Sequence, residues 1–368
     1  MLTLGFEAKR VFTNYTGLGN YCRTLLEQLA EQFPENRYVL YSPKLTRNAR
    51  TEFFFEHPAF SLRKISKWAR SVDLQKEVQT DKIDLFHGLS HELPWKPSPC
   101  TSIVTIHDLI ALLFPEQYSF VDRKIYQAKM KRACQTADHI IAISQSTKRD
   151  LMDFYQLPER KISVVYQDCD PAFRRVCMEE EKAAVRQKYE LPERFLLSVG
   201  TIIERKRLLS ILKALHAMLP AERIPLVVVG KGRAYREKCQ QFVVQKGLKK
   251  WVYFRENITF QDLPAVYQQA LIFLYPSVYE GFGIPVLEAQ HSGVPVITSR
   301  FSSLPEVGGT HSIQLDPDDI EHLKTEILEL AEDEPRQEQM IQEGYKYIKQ
   351  FAAERTIPQL MGIYQEFR

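Results

Sequence analysis

The chain has no feature that would place it in a membrane or in an oxidising compartment. None of its apolar runs, such as IPLVVVG at 224–230, is long enough to span a bilayer. Its first residues, MLTLGFEAKR, lack the apolar stretch of a signal peptide. The six cysteines, at 22, 100, 134, 169, 177 and 239, form no CxxC pair, which is typical of reduced thiols rather than of disulfides or a zinc site. We therefore expect a cytoplasmic protein.

A strong net charge is also missing. The 49 Lys and Arg residues nearly balance the 46 Asp and Glu residues, so the net charge is only +3. A charge this small does not indicate nucleic-acid binding. Hydrophobic residues make up 44% of the chain and charged residues 26%, as in globular proteins with apolar cores. A length of 368 residues predicts two domains rather than one.

Short apolar runs alternate with helix-patterned segments along the whole chain. Near-continuous apolar strands between helices predict buried parallel sheets, and the series restarts after a polar stretch at 171–193. We therefore predict the α/β class with two Rossmann-like doubly wound domains, residues 1–175 and 176–350, and a C-terminal helix at 351–368 that packs back on the first domain. The candidate strands are LTLGFE, YVLYS, DLFHG, SIVTIHD, HIIAIS and ISVVY, then FLLSVG, PLVVVG, VYFREN, IFLYPS and PVITS.

The segment SVYEGFGIPVLEAQHSGVPV, residues 277–296, places two acids around a glycine loop. The loop follows a strand and precedes a helix that Pro285 starts, so it lies where ligands bind in open α/β sheets. The glycines allow close approach to the backbone, and helix-terminal amides present a positive dipole to a phosphate. We expect the glycines to be Gly281 and Gly283, and the amides to be those of Ile284, Val286 and Leu287.

The two acids need partners of their own beside a phosphate. Glu288, one turn into the helix, can accept hydrogen bonds from a vicinal diol such as a ribose. Glu280, on the loop, can meet a second hydroxylated group or a developing positive charge. A nucleotide-sugar is the simplest ligand with this layout; the alternative is a surface turn whose acids are solvated.

Cations and glycines follow other predicted strands. Arg205 and Lys206, in GTIIERKRL, can neutralise a diphosphate leaving group without a metal, although a solvated helix start is the alternative. Gly17 and Gly19 suggest a dinucleotide fingerprint, but Cys22 stands where the third glycine belongs. His107 follows a strand, where a histidine is more often a structural hydrogen bonder than a catalyst.

YEGFGIPVLEAQHSGVPVI resembles the Glu-x7-Glu signature of the retaining glycosyltransferases with the GT-B fold, in the family-4 group (glycosyl transferases group 1). SSLPEVGG resembles the segment that follows in that family, and the chain is most similar to its bacterial mannosyltransferases of O-antigen and polysaccharide assembly. The resemblance covers nearly the whole chain. It implies an acceptor-side first domain and a nucleotide-sugar-binding second domain facing a central cleft. One departure is Gln167-Asp168-Cys169, which replaces the Asn-Gly turn of many relatives.

The resemblance also assigns roles. It implies that Arg205 and Lys206 hold the donor diphosphate, that Lys231 and Ile258 lie near the base, and that the Gly17–Gly19 loop faces the donor phosphate and sugar. His107 would contact the transferred sugar. The predicted catalytic residues are Glu280, His107, Arg205 and Lys206. The predicted donor-binding residues are Gly17, Gly19, Arg205, Lys206, Lys231, Ile258, Gly281, Phe282, Gly283, Ile284, Val286, Leu287 and Glu288.

These assignments predict a retaining hexosyltransferase that needs no cofactor or metal. By resemblance the donor is GDP-mannose, and the acceptor is a hydroxyl of a glycan or lipid-linked saccharide in cell-surface polysaccharide synthesis. A UDP-sugar-dependent glucosyl- or galactosyltransferase is the nearest alternative; a dinucleotide-dependent oxidoreductase or epimerase and a non-catalytic sugar-binding module are more distant ones. Residues 62–74 and 122–135 mix basic and apolar residues, which leaves open peripheral contact at the inner face of the cytoplasmic membrane or ordinary solvated helices.

Overall fold

The protein divides into two compact units in a computed structural model that describes residues 1–368. Unit 1 comprises Met1–Gln167 together with Phe351–Arg368, and unit 2 comprises Asp168–Gln350. The contacts thus divide the chain eight residues before the boundary set from the sequence at 175. The reason is that residues 168–173 pack on unit 2: the Phe173 ring lies 5.8 Å from that of Phe260 and 5.5 Å from that of Tyr267.

Unit 1 contains one seven-stranded sheet in the order β3-β2-β1-β4-β5-β6-β7, and every pair of neighbours is parallel. Its elements are β1 Thr3–Glu7, α1 Lys9–Thr13, α2 Gly17–Gln32, β2 Arg37–Ser42, α3 Glu52–Glu56, β3 Phe60–Lys64, α4 Lys67–Ser71, α5 Gln75–Thr80, β4 Leu85–Gly88, β5 Thr101–Ile106, α6 Ile110–Leu113, α7 Phe120–Thr136, β6 His139–Ala142, α8 Gln145–Tyr155 and β7 Ile162–Val164.

Unit 2 contains a six-stranded parallel sheet in the order β10-β9-β8-β11-β12-β13. Its elements are α9 Glu179–Lys188, β8 Leu196–Val199, α10 Leu208–Ala217, β9 Leu226–Val229, α11 Ala234–Gln245, β10 Val252–Arg255, α12 Leu263–Tyr267, β11 Ile272–Tyr275, α13 Ile284–His291, β12 Val296–Ser299, α14 Leu304–Gly308, β13 Ile313–Leu315, α15 Ile320–Glu332 and α16 Glu334–Tyr347. The last helix of the chain, α17 Ala353–Glu366, belongs to unit 1.

The two parallel, helix-covered sheets confirm the predicted doubly wound fold class. Strands such as β9, Leu-Val-Val-Val, are buried along their whole length, as expected when helices cover both faces of a parallel sheet. Two strands, β3 and β13, were not among those predicted from the sequence. Both lie at sheet edges, and neither is an uninterrupted apolar run, because β3 reads FSLRK and β13 reads IQL.

The strand order reverses once in each sheet. In unit 1 this point lies between β1 and β4, and in unit 2 between β8 and β11. Ligands of doubly wound domains bind outside the carboxyl ends of the strands at such switch points. The loops that follow these four strands are therefore the expected positions of a ligand-binding site.

The helices do not provide a membrane span: none is both long enough and apolar enough to cross a bilayer.

Candidate active site

The switch point of unit 2 joins the loop after β8 to the loop after β11. Ser277 donates a hydrogen bond from Oγ to the carbonyl oxygen of Arg205 at 3.2 Å, and the amide of Val278 donates to the same oxygen at 3.0 Å. These bonds hold the loop that carries Arg205 and Lys206 against the loop that carries Glu280. The predicted cations Arg205 and Lys206 and the predicted acid Glu280 thus lie on two loops that are hydrogen-bonded to each other.

Glu280 lies at the centre of this structure. Its Oε1 is 2.8 Å from Nη1 of Arg205 and 3.2 Å from Nζ of Lys206, and it accepts a hydrogen bond from Oη of Tyr275 at 3.0 Å. Burial alone would raise the pKa of Glu280, but the charges of Lys206 and Arg205 hold it below its usual value. Burial lowers the pKa of Lys206, and the charge of Glu280 opposes that effect. Two cations face one carboxylate here, which leaves positive charge for an anionic ligand.

Two serines fix the backbone around Glu280. Ser302 Oγ accepts a hydrogen bond from the Glu280 amide at 3.1 Å and lies 2.6 Å from the Glu280 carbonyl oxygen. Ser303 Oγ donates to the Phe282 carbonyl at 2.6 Å. Both serines precede α14, in the segment SSLPEVGG. That segment carries part of the family resemblance, but the two serines were not predicted as site residues.

The N-terminus of α13 differs in detail from the expectation. Gly283 caps the helix with φ of +124°, and a Cβ there would lie 3.0 Å from Cδ2 of Leu304, so the position requires glycine. The amides of Val286 and Leu287 donate to the Gly283 carbonyl at 2.9 and 3.4 Å. The first turn of the helix thus uses both amides, and their contact with a phosphate stays a prediction. Of the three predicted amides, that of Ile284 is the one not bonded to the Gly283 carbonyl.

Glu288 has a different environment from Glu280. Its Oε2 accepts a hydrogen bond from Oη of Tyr267 at 2.9 Å, and no cation pairs with it. Burial raises the pKa of Glu288 to about 7, and the negative charge of Asp170 adds to this effect. The two acids thus have separate partners, one a pair of cations and the other a phenol.

The other donor-side residues of unit 2 lie at the same edge of its sheet. Exposed Lys231 follows β9, and half-buried Ile258 follows β10. Since all the strands are parallel, their carboxyl ends point in one direction, and both residues lie on the β8 side of the loops that carry Arg205 and Glu280.

Unit 1 carries the remaining predicted residues. Gly17 is the first residue of α2, and Asn14 Oδ1 accepts hydrogen bonds from the Thr16 and Gly19 amides at 2.9 and 3.3 Å. His107 follows β5 and is buried, and its Nε2 donates to the carbonyl oxygen of Leu89 at 2.9 Å. Burial lowers the pKa of His107 to about 3, so its imidazole is neutral and suited to hydrogen bonding rather than to carrying charge.

Three side chains of types that ligate metals lie together at the start of unit 2. The ligand atoms of Asp168, Cys169 and His291 are all within 4.8 Å of one another. Asp168 already forms an ion pair with Arg174, and its Oδ1 accepts from the Cys169 amide at 2.8 Å. Burial raises the pKa of the Cys169 thiol well above its usual value, which disfavours the thiolate that a metal needs. The residues present therefore form an ion pair beside a neutral thiol.

The fold and the site define a two-domain α/β protein whose second unit presents buried cations at a sheet switch point. A family model described as "Glycosyl transferases group 1" matches residues 180–347, and one described as "Glycosyltransferase Family 4" matches residues 15–172. The chain belongs to this family and is a glycosyltransferase. This membership overturns the oxidoreductase and non-catalytic alternatives.

Several curated relatives are bacterial mannosyltransferases. The chain is 30% identical to the O-antigen chain mannosyltransferase B of Escherichia coli over 291 residues, which is 76% of this chain and 74% of that protein. It is 29% identical to the O-antigen chain mannosyltransferase RfbU of Salmonella typhimurium over 216 residues, 59% of this chain and 57% of that protein. Against the serotype-specific mannosyltransferase WbdA of Escherichia coli, the match is 30% over 252 residues and spans only 30% of the longer protein.

Solved glycosyltransferases share the fold over the whole chain. A glycosyltransferase from Rickettsia africae superposes with a TM-score of 0.77 at 14% identity, covering 100% of this chain and 98% of that chain. Anabaena HepE, solved with UDP and glucose, gives a TM-score of 0.73 at 17% identity, with 99% of each chain covered. The predicted GT-B fold is thereby confirmed.

Proposed function

We propose that this glycosyltransferase moves mannose, with retention at the anomeric carbon, from GDP-mannose to a hydroxyl of a glycan or lipid-linked saccharide acceptor. The observation that carries the proposal is the pairing of Arg205 and Lys206 with Glu280 at the switch point of unit 2. The relatives named O-antigen mannosyltransferases support mannose as the sugar and cell-surface polysaccharide synthesis as the pathway.

The leaving group determines the roles of the unit 2 residues. As the bond from the sugar to the diphosphate breaks, negative charge grows on the departing phosphate. Arg205 and Lys206 supply fixed positive charge for it, which is worth most in a buried site. Glu280 holds both cations in place and positions the sugar, while Glu288 accepts hydrogen bonds from the ribose. A metal is not needed on this scheme, because side chains supply the charge.

The acceptor loses its proton without a dedicated base on the protein. The acceptor O–H bond breaks, its oxygen forms the new bond to the anomeric carbon, and the proton passes to the departing phosphate on the same face of the sugar. This route gives retention in one step. The predicted contact of His107 with the transferred sugar stays a prediction.

A thermal-shift screen tests the donor. Because a bound ligand stabilises the folded protein by mass action, we expect GDP-mannose to raise Tm more than UDP-glucose or UDP-galactose. Arg205→Ala and Glu288→Ala should each remove most of the shift, whereas Lys249→Ala, an exposed cation of the same unit, should retain it. A larger shift with a UDP-sugar would replace the proposed donor, and undiminished shifts in both site variants would overturn the site.

Turnover tests the chemistry. Glu280→Gln preserves the size of the side chain but removes the charge that holds Arg205 and Lys206, so we expect kcat to fall by about 100-fold or more, on the scale of losing a transition-state electrostatic contact. Near-normal kcat would remove Glu280 from the mechanism. Turnover that a chelator abolishes and a divalent cation restores would contradict the metal-free scheme.

We further propose that unit 1 contacts an anionic membrane surface through its basic, aromatic face. Phe120, Val121 and Ile125 on α7 are 66%, 64% and 50% exposed, and Arg123 and Lys124 lie over the Phe120 ring at 5.3 and 5.7 Å. Exposed apolar side chains beside cations suit the interface of an anionic bilayer.

The same face continues onto α4. Arg132 lies over the Trp95 ring at 4.8 Å, and the Trp95 amide donates to the Ser71 carbonyl at 2.9 Å. Trp95 and Trp68 are 50% and 60% exposed. The face therefore includes parts of both segments that mix basic and apolar residues in the sequence.

Co-sedimentation with phosphatidylglycerol-containing liposomes at low salt tests this contact. Wild type should pellet, and the double variant Phe120→Ser, Ile125→Ser should stay in the supernatant. Val244→Ser, which removes a 55% exposed apolar side chain from unit 2, should pellet like wild type. Wild type that does not pellet, or that pellets equally with neutral liposomes, would contradict the proposal.

A further inference from the structure

The switch point of unit 1 holds a buried cluster of charges that the proposed mechanism does not use. Lys9 and Arg10 follow β1, and His91 and Glu92 follow β4. Glu7 ends β1, Arg70 comes from α4, and Lys129 comes from α7. The carboxyl ends of the two central strands thus bring four cations together with two carboxylates.

Both carboxylates already have cationic partners. Arg70 Nε lies 2.6 Å from Oε1 of Glu7, and its Nη2 lies 2.9 Å from Oε2 of Glu92. Lys129 Nζ lies 3.1 Å from the same oxygen of Glu92. Arg70 is 8% exposed and Glu7 is 4% exposed, so this network is desolvated and fixed. It leaves Lys9 and Arg10 as cations that form no ion pair of their own.

Lys9 and Arg10 contribute unbalanced positive charge. Lys9 meets Glu7 only through its backbone amide, at 3.1 Å from Oε1. Nε of Arg10 is buried and has no hydrogen-bond partner. Burial and the like charges of Arg70 and Arg10 lower the pKa of Lys9, and the charges of Glu92 and Glu7 oppose this effect only in part. Asp108, which acts on the neighbouring His107, is the one further carboxylate, so the count is four cations against three anions.

Two neutral groups beside these cations are also unsatisfied. His91 is 2% exposed with φ of +63°, and its Nδ1 has no hydrogen-bond partner. Oγ of Ser90, also 2% exposed, has none either. The rings of His91 and His107 lie 5.1 Å apart, and the positive charge of Arg10 contributes to lowering the pKa of both. Each buried polar group without a partner costs folding free energy, so a ligand that engages several of them recovers it.

We propose that Lys9, Arg10 and His91 bind a phosphate ester or diphosphate group of the acceptor. The inference rests on the proposed function, in which Arg205 and Lys206 of unit 2 take the diphosphate of the donor. A phosphate ester suits two unpaired cations with N–H and O–H donors beside them, because it carries up to two charges and several acceptor oxygens. Transfer would then favour an acceptor that carries phosphate over the same saccharide without it.

The first experiment measures anion binding with the donor site filled. Inorganic pyrophosphate is titrated calorimetrically into the full-length chain in the presence of saturating GDP. We expect wild type to bind it and Arg10→Gln to bind at least tenfold more weakly. Lys76→Gln, which removes an exposed cation of unit 1, should match wild type. Absence of binding in the GDP-saturated protein, or unchanged affinity in Arg10→Gln, would overturn the site.

A folding control separates a ligand site from a structural role. Arg10 forms no ion pair, so Arg10→Gln should leave Tm unchanged or raise it, whereas a structural cation would lower Tm on removal. A marked loss of Tm in Arg10→Gln would contradict the inference.

The second experiment distinguishes a group on the acceptor from free phosphate. Turnover is compared for a saccharide linked to a polyprenyl diphosphate and for the same saccharide linked to the same polyprenyl chain without phosphate. We expect kcat/KM to be at least tenfold higher for the phosphorylated acceptor in wild type and equal for the two in Arg10→Gln. Equal kcat/KM in wild type would assign the site to free anions and overturn the acceptor assignment. Failure of the proposed function would show separately, as the absence of GDP-mannose binding.

Discussion

Glu280 and Glu288 show how environment separates two chemically equal side chains. Both are glutamates on one short segment, but Glu280 lies against Arg205 and Lys206, which lower its pKa, whereas Glu288 faces Tyr267 and the charge of Asp170. Near neutral pH, Glu280 is therefore ionised, and Glu288 is close to its titration midpoint. The first can hold cations at any physiological pH, and the second can respond to pH.

Glu288 should make both stability and donor binding depend on pH. Its pKa of about 7 in the folded protein is above its ordinary value of 4.5, so its contribution favours folding below pH 4.5 and is lost as the pH rises through 7. We expect Glu288→Gln to remove about 2 kcal/mol of the fall in unfolding free energy between pH 5 and 8. GDP should bind wild type more tightly at pH 8 than at pH 6, since the ionised carboxylate is the better acceptor, and this difference should vanish in Glu288→Gln.

Chemical denaturation and calorimetry at several pH values measure the two effects. Glu329→Gln, which removes an exposed carboxylate from α15, is the matched control and should keep the wild-type profile. A wild-type profile in Glu288→Gln would show that another group titrates in this range.

The site residues that could be predicted from the sequence are those that directly follow a predicted strand, because that position places them at the carboxyl edge of the sheet. Arg205 and Glu280 follow predicted strands, and carboxyl ends of parallel strands meet at one edge. Tyr267 and Tyr275 were missed because nothing local distinguishes a phenol that will donate to a carboxylate 21 or 5 residues away. The use of the Val286 and Leu287 amides inside α13 depends on how the first turn closes, which the presence of Pro285 does not determine.

At the scale of elements, the start of α2 separates two glycines that look alike in the sequence. A Cβ on Gly19 would lie 1.9 Å from the carbonyl oxygen of Asn14, whereas a Cβ on Gly17 would meet nothing within 4 Å. Gly19 therefore serves the packing of α1 on α2, and Gly17 leaves space open at the helix N-terminus. The family resemblance implied that both face a donor phosphate, and the structure gives Gly19 a packing reason as well.

The two alanine variants should consequently differ in sign. We expect Gly19→Ala to lower the unfolding free energy by about 2 kcal/mol, because backbone must move to admit the methyl group. Gly17→Ala should raise it by roughly 0.5 kcal/mol through helix propensity and reduced freedom of the unfolded chain, while weakening donor binding if this space receives the phosphate. Urea denaturation and donor titration of both variants measure this; equal destabilisation by the two would contradict the assignment.

Secondary structure itself was predictable wherever the strand lies inside a sheet. Central strands such as β9 and β11 are buried along their whole length and read as apolar runs. The strands β3 and β13 were missed because FSLRK is mixed and IQL is very short, whereas the other two edge strands, β7 and β10, were found in longer apolar runs. Pairing with β2 and β12 defines them, and that pairing is not encoded locally.

At the scale of the whole molecule, unit 1 is completed by the last residues of the chain. Ile357, Leu360 and Tyr364 of α17 are buried in the same apolar core as Leu26 and Leu29 of α2. Unit 2 has its own core, built only from residues within 168–350. The two units therefore differ in how they depend on the C-terminal segment: unit 1 needs it, and unit 2 contains no part of it.

A buried hydrogen bond ties this segment to the sheet of unit 1 and should control the local stability there. Nδ1 of His87 lies 2.6 Å from Oη of Tyr364, and its Nε2 lies 2.8 Å from Oγ1 of Thr105. Burial lowers the pKa of His87 to about 3, so the ring is neutral and needs both partners.

We expect Tyr364→Phe to leave Nδ1 unsatisfied and to reduce the stability of unit 1 by about 1–3 kcal/mol. Amide hydrogen exchange should accelerate in β4 and α17 but not in β8 or β11. Tyr345→Phe, at a 40% exposed phenol of unit 2, should leave both units unchanged, and equal acceleration in both units of Tyr364→Phe would show that the C-terminal segment stabilises the chain as a whole rather than unit 1.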